Sequence, residues 1–312
     1  MKVVIIGGVA GGATAAARIR RLDEKAEIVV FERSGFISYA NCGLPYYIGG
    51  TIEDEGDLTL QTPESFYKRF RVKMNVRHEV TALHPESKMV TVKNIENGTV
   101  FTETYDKLIL SPGAKPIKPN FEGIDSDKIF TLRTVEDTLK IKEFINEKYP
   151  KSAVVVGGGF IGIEVAENLR ELGIDVTLVE AADQLMAPFD SDMASFIHAE
   201  LRKNGVNLML GRFVEGFADT DDGICVKLKN SPTLHADMVV MAIGVAPETT
   251  LAKDAGLELG IKGSIVVNDR METSVTDIYA VGDAVQIRNF VTDTDALISL
   301  AGPANKQGRI AA

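Results

Sequence analysis

The chain has 312 residues, enough for two domains of ordinary size, and its 45% apolar and 25% charged content is that of a water-soluble globular protein. A formal net charge of -10 argues against a nucleic-acid or anionic-membrane surface, since both need clustered Lys and Arg. No stretch is apolar for the ~18 residues a membrane span needs, and two distant cysteines, Cys42 and Cys225, are not a secreted disulfide framework, so a reducing cytoplasm is the expected compartment.

In chain order, Lys2–Ile6 reads as a buried first strand rather than a signal peptide, because glycines and a helix follow at once. The glycine turn is Gly7-Gly8-Val9-Ala10-Gly11-Gly12; an Ala/Arg-rich helix runs to about Leu22, and a second strand, Glu27–Phe31, ends at Glu32. The middle of the chain is β-rich. Val90–Val92 and Val100–Thr102 flank Asn97-Gly98, a hairpin signal. Tyr105–Leu110 is a buried strand ending in the turn Ser111-Pro112-Gly113-Ala114, and a helix is expected around Val135–Glu147, with Pro150 as a boundary. The opening pattern then recurs: strand Ala153–Val156, turn Gly157-Gly158-Gly159-Phe160-Ile161-Gly162, a helix to about Leu172, and strand Asp175–Val179 ending at Glu180. Further buried strands are expected at Asp237–Ile243, closing on Gly244, and at Ile278–Val281, followed by Gly282-Asp283; a last helix starts near Pro303.

Each repeat is a βαβ unit, which implies an α/β fold with parallel, doubly wound sheets. A dinucleotide pyrophosphate needs backbone N–H groups at a helix N-terminus with no side chain in the way, and a carboxylate about 20 residues further on receives the ribose hydroxyls. The second repeat meets this rule with Gly157, Gly159, Gly162 and Glu180. The first departs from it, because Val9 holds the middle position between Gly7 and Gly12, leaving Gly8 and Gly11 as candidates for the close approach. Two such turns in register, each with its strand and acid, outweigh a plain tight-turn reading. Glu180 is followed by Ala181 and Ala182 and not by Arg, so NADH is expected over NADPH.

With these motifs, Ser38-Tyr39-Ala40-Asn41-Cys42-Gly43-Leu44-Pro45-Tyr46-Tyr47 and Thr273–Asp283 complete a resemblance covering essentially the whole chain. It resembles the coenzyme A disulfide reductases and their relatives, the NADH-dependent persulfide reductases and NADH oxidases, all FAD-dependent pyridine nucleotide-disulfide oxidoreductases. The resemblance implies two Rossmann-like, three-layer dinucleotide domains. The FAD domain would be discontinuous (1–113 and 246–312), interrupted by the NAD(P)H domain (114–245). The cofactor-binding set it implies is Gly7, Gly8, Val9, Ala10, Gly11, Gly12, Glu32, Arg33, Asn41, Val80, Ser111, Pro112, Gly113, Gly157, Gly159, Phe160, Ile161, Gly162, Glu164, Glu180, Gly244, Gly282 and Asp283. Within it, Glu32 would bind the FAD adenosine ribose and Asp283 the ribityl–pyrophosphate region. Phe160 would cover the flavin until nicotinamide displaces it, and Glu164 would lie near both rings.

The same resemblance makes Cys42 the redox thiol. With no Cys-x-x-Cys or Cys-x4-Cys pair around it, a single-cysteine centre must cycle through a mixed disulfide or a sulfenic acid. Related NADH peroxidases and water-forming oxidases carry His where this chain has Ala10, which favours a disulfide or persulfide of coenzyme A, or a related low-molecular-weight thiol species, as substrate. Arg18, Arg21, Ser38 and Asn41 are the expected CoA contacts, and Arg20, Lys68, Arg69 and Arg71 form a basic surrounding whose alternative reading is a solvated face. Cys225 reads as structural, as do the histidines His78, His84, His198 and His235, and no metal-ligand spacing appears. Three rivals stand beside this reading: an NADH oxidase or peroxidase, a reductase of a small redox protein with Cys42 idle, and a cofactor-binding module with little turnover. Full-length relatives are homodimers that continue into a C-terminal dimerisation domain, so the stop at Ala312 reads as a truncation and the oligomeric state cannot be inherited.

Overall fold

The two repeats fold as parallel strand–helix–strand units with the same internal register. Lys2–Ile6 pairs with Glu27–Phe31, Lys2 opposite Glu27, and Ser152–Val156 pairs with Asp175–Val179, Ser152 opposite Asp175. This is a computed structural model describing residues 1–312. Its α-helices, in chain order, are α1 (Ala10–Leu22), α2 (Leu44–Gly49), α3 (Pro63–Phe70), α4 (Val135–Lys148), α5 (Phe160–Glu171), α6 (Ser191–Lys203), α7 (Thr250–Asp254) and α8 (Ala301–Ala311). None is long and apolar enough to cross a membrane. The chain divides into two compact units: Met1–Ala40 with Thr59–Lys115 and Ala246–Ala312, and Asn41–Leu58 with Pro116–Val245.

In the first unit a five-stranded parallel sheet runs in the order Ile278–Ala280, Lys107–Leu110, Lys2–Ile6, Glu27–Phe31, Lys73–Asn75. Strand alternation sends Val3 and Ile5 to one face, against Ala13, Ala15, Ala16 and Ile19 of α1. Val4 and Ile6 go to the other, against Val80, Val90 and Val92 of an antiparallel sheet formed by His78–His84, Met89–Asn94 and Val100–Thr104. Burying each Val or Ile this way stabilises by about 1.5–3 kcal/mol. The alanines of α1 leave room for α8, where a Cβ on Gly308 would stand 2.5 Å from the Gly11 carbonyl oxygen.

The second unit repeats the plan with the order Asn207–Met209, Asp175–Val179, Ser152–Val156, Met238–Met241, Ile129–Thr131, again all parallel. An antiparallel meander of Val214–Thr220, Gly223–Leu228 and Leu234–Ala236 covers one face through Phe217, Ile224 and Val226. The expected helix near 135–147 is α4, started by a reciprocal cap between Thr134 and Asp137. By packing, residues 41–58 group with this unit. Their helix α2 buries Leu44, Pro45 and Ile48 and packs on α4 and α5.

One acid pins the edge of the first sheet. Asp277 takes both Lys88 and Lys107 as ion-pair partners, and its carbonyl accepts from Leu108 N at 2.9 Å. Hydrogen bonds from Lys107 and then Lys88 hold its carboxyl down at about 2, from 3.8. A lowered folded-state pKa contributes stability above the unfolded value that is lost as pH falls through the folded one. Asp277→Asn is therefore expected to melt lower than the parent chain at pH 7, and the difference should close as melting is followed from pH 3.8 down towards 2.

Candidate functional site

Each glycine turn is shaped by contacts a side chain would forbid. Gly7 and Gly157 sit at φ +99° and +110°, in the left-handed half of the map that favours glycine. A Cβ on Gly7 would lie 2.1 Å from the Ser111 carbonyl oxygen, and one on Gly157 2.3 Å from that of Ala242. Gly12 and Gly162 press α1 and α5 onto the same turns: a Cβ on either would be 1.9 Å from the carbonyl oxygen of Gly7 or Gly157. Both helices thus begin directly above a strand end, where the first N–H groups of a helix have no partner within it, which is what an anionic phosphate needs.

The acids are tied to the turns in the same way. Glu32 accepts from Gly8 N at Oε2 and from Ser34 N at Oε1, both at 2.8 Å. Glu180 accepts from Gly158 N at 2.6 Å and from Ala182 N at 2.7 Å. Each carboxylate oxygen keeps a further lone pair, so both acids are oriented and still able to receive a ribose hydroxyl. The residues present fit a dinucleotide at each turn.

The two turns differ at the middle position. Gly8 and Gly11 lie tight against neighbouring side chains. A Cβ on Gly8 would meet Ile37 at 2.9 Å, and one on Gly11 would meet Ser111 Oγ at 2.8 Å and Val281 at 2.9 Å. At Gly159 no atom stands within 4 Å of the missing Cβ, so this glycine alone leaves open space. Val9 takes that place in the first turn.

Ser111 N donates to Ile6 O, and Ala242 N to Val156 O, both at 2.7 Å, so Ser111-Pro112-Gly113 and the turn to Gly244 are equivalent crossings beside the glycine turns. Gly282 (φ +84°) receives the Gln307 side chain on its N–H at 2.7 Å, and Asp283 follows, partly buried. Gln307, itself buried on α8, was not legible in the sequence, because nothing marks a polar residue in a helix as the partner of a distant turn. Arg33 is exposed beside Glu32, while the Val80 side chain lies in the core and leaves only backbone for a ligand. In the second unit Ile161 is partly buried and Phe160, the first residue of α5, is 62% exposed. Burial, with Glu167 adding, pushes the Glu164 carboxyl up.

Cys42 is exposed on the one-turn 3₁₀ segment Asn41–Gly43 that leads into α2. The Asn41 side chain donates to the Arg133 carbonyl at 2.7 Å. In the first unit, Ser38 is held at φ +51° by Ser38 N to Gly8 O (3.0 Å) and Leu60 N to Ser38 O (2.9 Å). Ala10 opens α1.

The predicted arginines divide by role. Arg20 is committed to structure, donating to the carbonyls of Phe70, Asp23, Glu24 and Arg71. Arg21 and Arg69 lie on the Phe70 ring at 5.6 and 5.1 Å, a stacking that leaves guanidinium donors available. With Arg71, Glu24 and Ala26 they line a cavity of about 650 Å³ between the ends of α1 and α3. Arg18 sits one turn earlier on α1, partly buried, outside that lining. Phe70 was missed from sequence, although its place between Arg69 and Arg71 was a signal.

Cys225 is half-buried on the meander, its sulfur 3.3 Å from His235 Nδ1 across the strand pair. His198 accepts from Leu185 N, and burial lowers its pKa. His78 contacts Phe31 and Phe101, and His84 bonds Thr91. No three His, Cys, Asp or Glu side chains gather as a metal site.

The duplicated turns predict separable losses. Gly12→Ala and Gly162→Ala each force the helix off its turn, an overpacking of about 1–3 kcal/mol. Gly12→Ala should abolish dinucleotide binding at the first unit alone and Gly162→Ala at the second alone, read by titrating each variant with the two nucleotides separately.

Comparison with known proteins agrees with this geometry. A family model described as pyridine nucleotide-disulphide oxidoreductase matches residues 1–308. Coenzyme A disulfide reductase of Staphylococcus aureus is 39% identical over 311 residues, all of this chain and 69% of that protein. The structure of reduced Bacillus anthracis CoADR-RHD is similar with a TM-score of 0.97 and 50% identity, over 99% of this chain and 56% of that one. The water-forming NADH oxidase of Lactobacillus brevis, solved with NADH, gives 0.93 and 35% over 99% and 68%. Two dinucleotide turns are what an enzyme family built on FAD and NAD(P)H requires, and this chain belongs to that family, the pyridine nucleotide-disulphide oxidoreductases.

Proposed function

We propose that the protein reduces a disulfide or persulfide of coenzyme A at the expense of NADH, with Cys42 as the only redox thiol. The observation carrying this reading is that Cys42 stands exposed at the head of α2 with no second cysteine on its segment. Such a thiol has no internal disulfide to form, so its oxidised state is a mixed disulfide with the substrate or a sulfenic acid, and the first is the one a disulfide substrate supplies. The Cys42 thiolate attacks one sulfur of the CoA disulfide, the S–S bond breaks, and one CoA leaves as thiolate while Cys42–S–S–CoA forms. A persulfide offers the same sulfur–sulfur bond. When bound, FAD supplies the relay by which an electron pair from NAD(P)H returns the mixed disulfide to Cys42 thiolate and CoA. Gly7, Gly12 and Glu32 would hold FAD on the first unit, and Gly157, Gly159, Gly162 and Glu180 the nicotinamide nucleotide on the second. The cavity beside Arg21, Arg69 and Arg71 suits the phosphates of a CoA nucleotide, which their guanidinium groups would pair with.

The similarity to a water-forming NADH oxidase favours a second reading, in which Cys42 cycles through a sulfenic acid. Ala10 weighs against it, since it offers no acid–base group at the position where those enzymes carry His. Intact mass spectrometry without reductant separates the two. The CoA reading expects a CoA-sized adduct after incubation with CoA disulfide, absent from Cys42→Ser; an oxygen adduct alone, with turnover indifferent to CoA disulfide, would sink it.

Preference for NADH rests on Glu180. Its carboxylate is locked by Gly158 N and Ala182 N, so it cannot swing away from a 2′-phosphate. Glu180→Ala should improve the KM for NADPH relative to NADH by about tenfold, or ~1.4 kcal/mol. An unchanged ratio in steady-state kinetics would remove Glu180 as the discriminator.

A further inference from the structure

Three contacts seat the Cys42 segment on the nucleotide-binding unit. The Asn41 side chain donates to the Arg133 carbonyl, just ahead of α4. The Lys142 ammonium of α4 donates to the Ile48 carbonyl at 2.7 Å and lies 5.7 Å from the centre of the Tyr47 ring. It thereby neutralises a terminal carbonyl of α2, at the helix end where a cation is favoured. Gly49 meets α5: a Cβ there would be 2.1 Å from Asn168 Oδ1.

Asn168 is unusual for an interhelical position. It is 1% exposed. Its Nδ2 donates to the Glu164 carbonyl, one turn back on α5, at 2.8 Å, while its Oδ1 has no hydrogen-bond donor. A buried carbonyl oxygen left without a donor is costly, and an apolar residue would fill the space without that cost. The back-bond to Glu164 aims Oδ1 at Gly49, so this short polar side chain sets how closely α2 approaches α5. Phe160 and Gly162 of the nucleotide turn lie on the same helix, and Phe160 is about 12 Å along the axis from Asn168. One rigid helix thus carries the nucleotide turn at its start and the seat of the thiol-bearing helix two turns later.

We propose that Lys142 of α4 and Asn168 of α5 are positioning residues for Cys42, holding α2 and the thiol turn at its head in one place on these two helices. The proposal rests on Cys42 being the redox thiol. The seat is charged as well as packed. Tyr46 of α2 faces Glu164, Glu167 and Glu171 of α5, and burial, followed by these carboxylates, raises its hydroxyl. Lys142 is the cation α4 brings to α2, and burial lowers its pKa.

The test uses the full chain with FAD bound in a Cys225→Ser background, so that a single thiol reports. Iodoacetamide alkylation of Cys42 and mixed-disulfide formation with CoA disulfide are both followed by intact mass at fixed pH. Lys142→Met should slow mixed-disulfide formation about tenfold, and Lys142→Arg should restore it. Gly49→Ala, which pushes α2 off Asn168, should slow it by a similar factor with the flavin spectrum retained. Unchanged rates in both Lys142→Met and Gly49→Ala, with only the melting temperature lowered, would overturn the proposal. Failure of the redox reading shows elsewhere, as a Cys42→Ser variant with full turnover, and alkylation reports on positioning whichever way that falls.

Discussion

A helix cannot begin directly over the end of its own strand unless a residue at their crossing lacks a side chain. Here that constraint is met twice, by Gly12 over Gly7 and by Gly162 over Gly157, each with a hypothetical Cβ at 1.9 Å from a backbone oxygen. The rest of both sites follows from it. The close crossing starts α1 and α5 at their turns and brings the next strand's acid within reach of each turn. Gly8 N and Gly158 N then orient Glu32 and Glu180. A second crossing, Ser111 on Ile6 and Ala242 on Val156, closes the far side. Fold and site are one piece of geometry, because the backbone contacts that allow the helix to pack also form the cradle.

That is also why so much was legible in the sequence. A contact that excludes every side chain leaves glycine as its mark, and a strand buried on both faces leaves an unbroken apolar run. Gly12, Gly162, Lys2–Ile6 and Ala153–Val156 could be read directly. Position alone could not show which glycine faces protein and which faces open space. Gly8 and Gly11 resemble Gly159 on paper, yet the first two yield to Ile37, Ser111 and Val281, and only Gly159 faces open space. The difference lies in residues brought from elsewhere in the chain. Gln307 on Gly282 and Phe70 between Arg21 and Arg69 were hidden for the same reason. Short elements such as α2 were hidden too, since six residues are too few for a helical period to show.

The grouping of residues 41–58 changes how the thiol is understood. A cysteine carried by the same continuous segment as the first glycine turn would be placed by that turn. Instead, residues 41–58 pack with the second unit. The local anchors of Cys42 are then Arg133, Lys142 and Asn168, none of which belongs to a recognisable motif. Motif residues are recognisable because they meet a ligand shared by many proteins. Residues that place a motif meet only their own neighbours.

The polar character of those anchors is itself informative. Apolar packing alone would hold α2 against α5 with less cost than an Asn whose oxygen has no donor, or a Lys whose ammonium is drawn out of water. Apolar contacts, however, tolerate sliding, because one buried methyl group is nearly as good as the next. A hydrogen bond from Lys142 to a single carbonyl and an oxygen set against a single glycine do not slide. For the thiol chemistry proposed above that kind of contact matters, since displacement of a reacting atom by about 1 Å is enough to cost two orders of magnitude in rate.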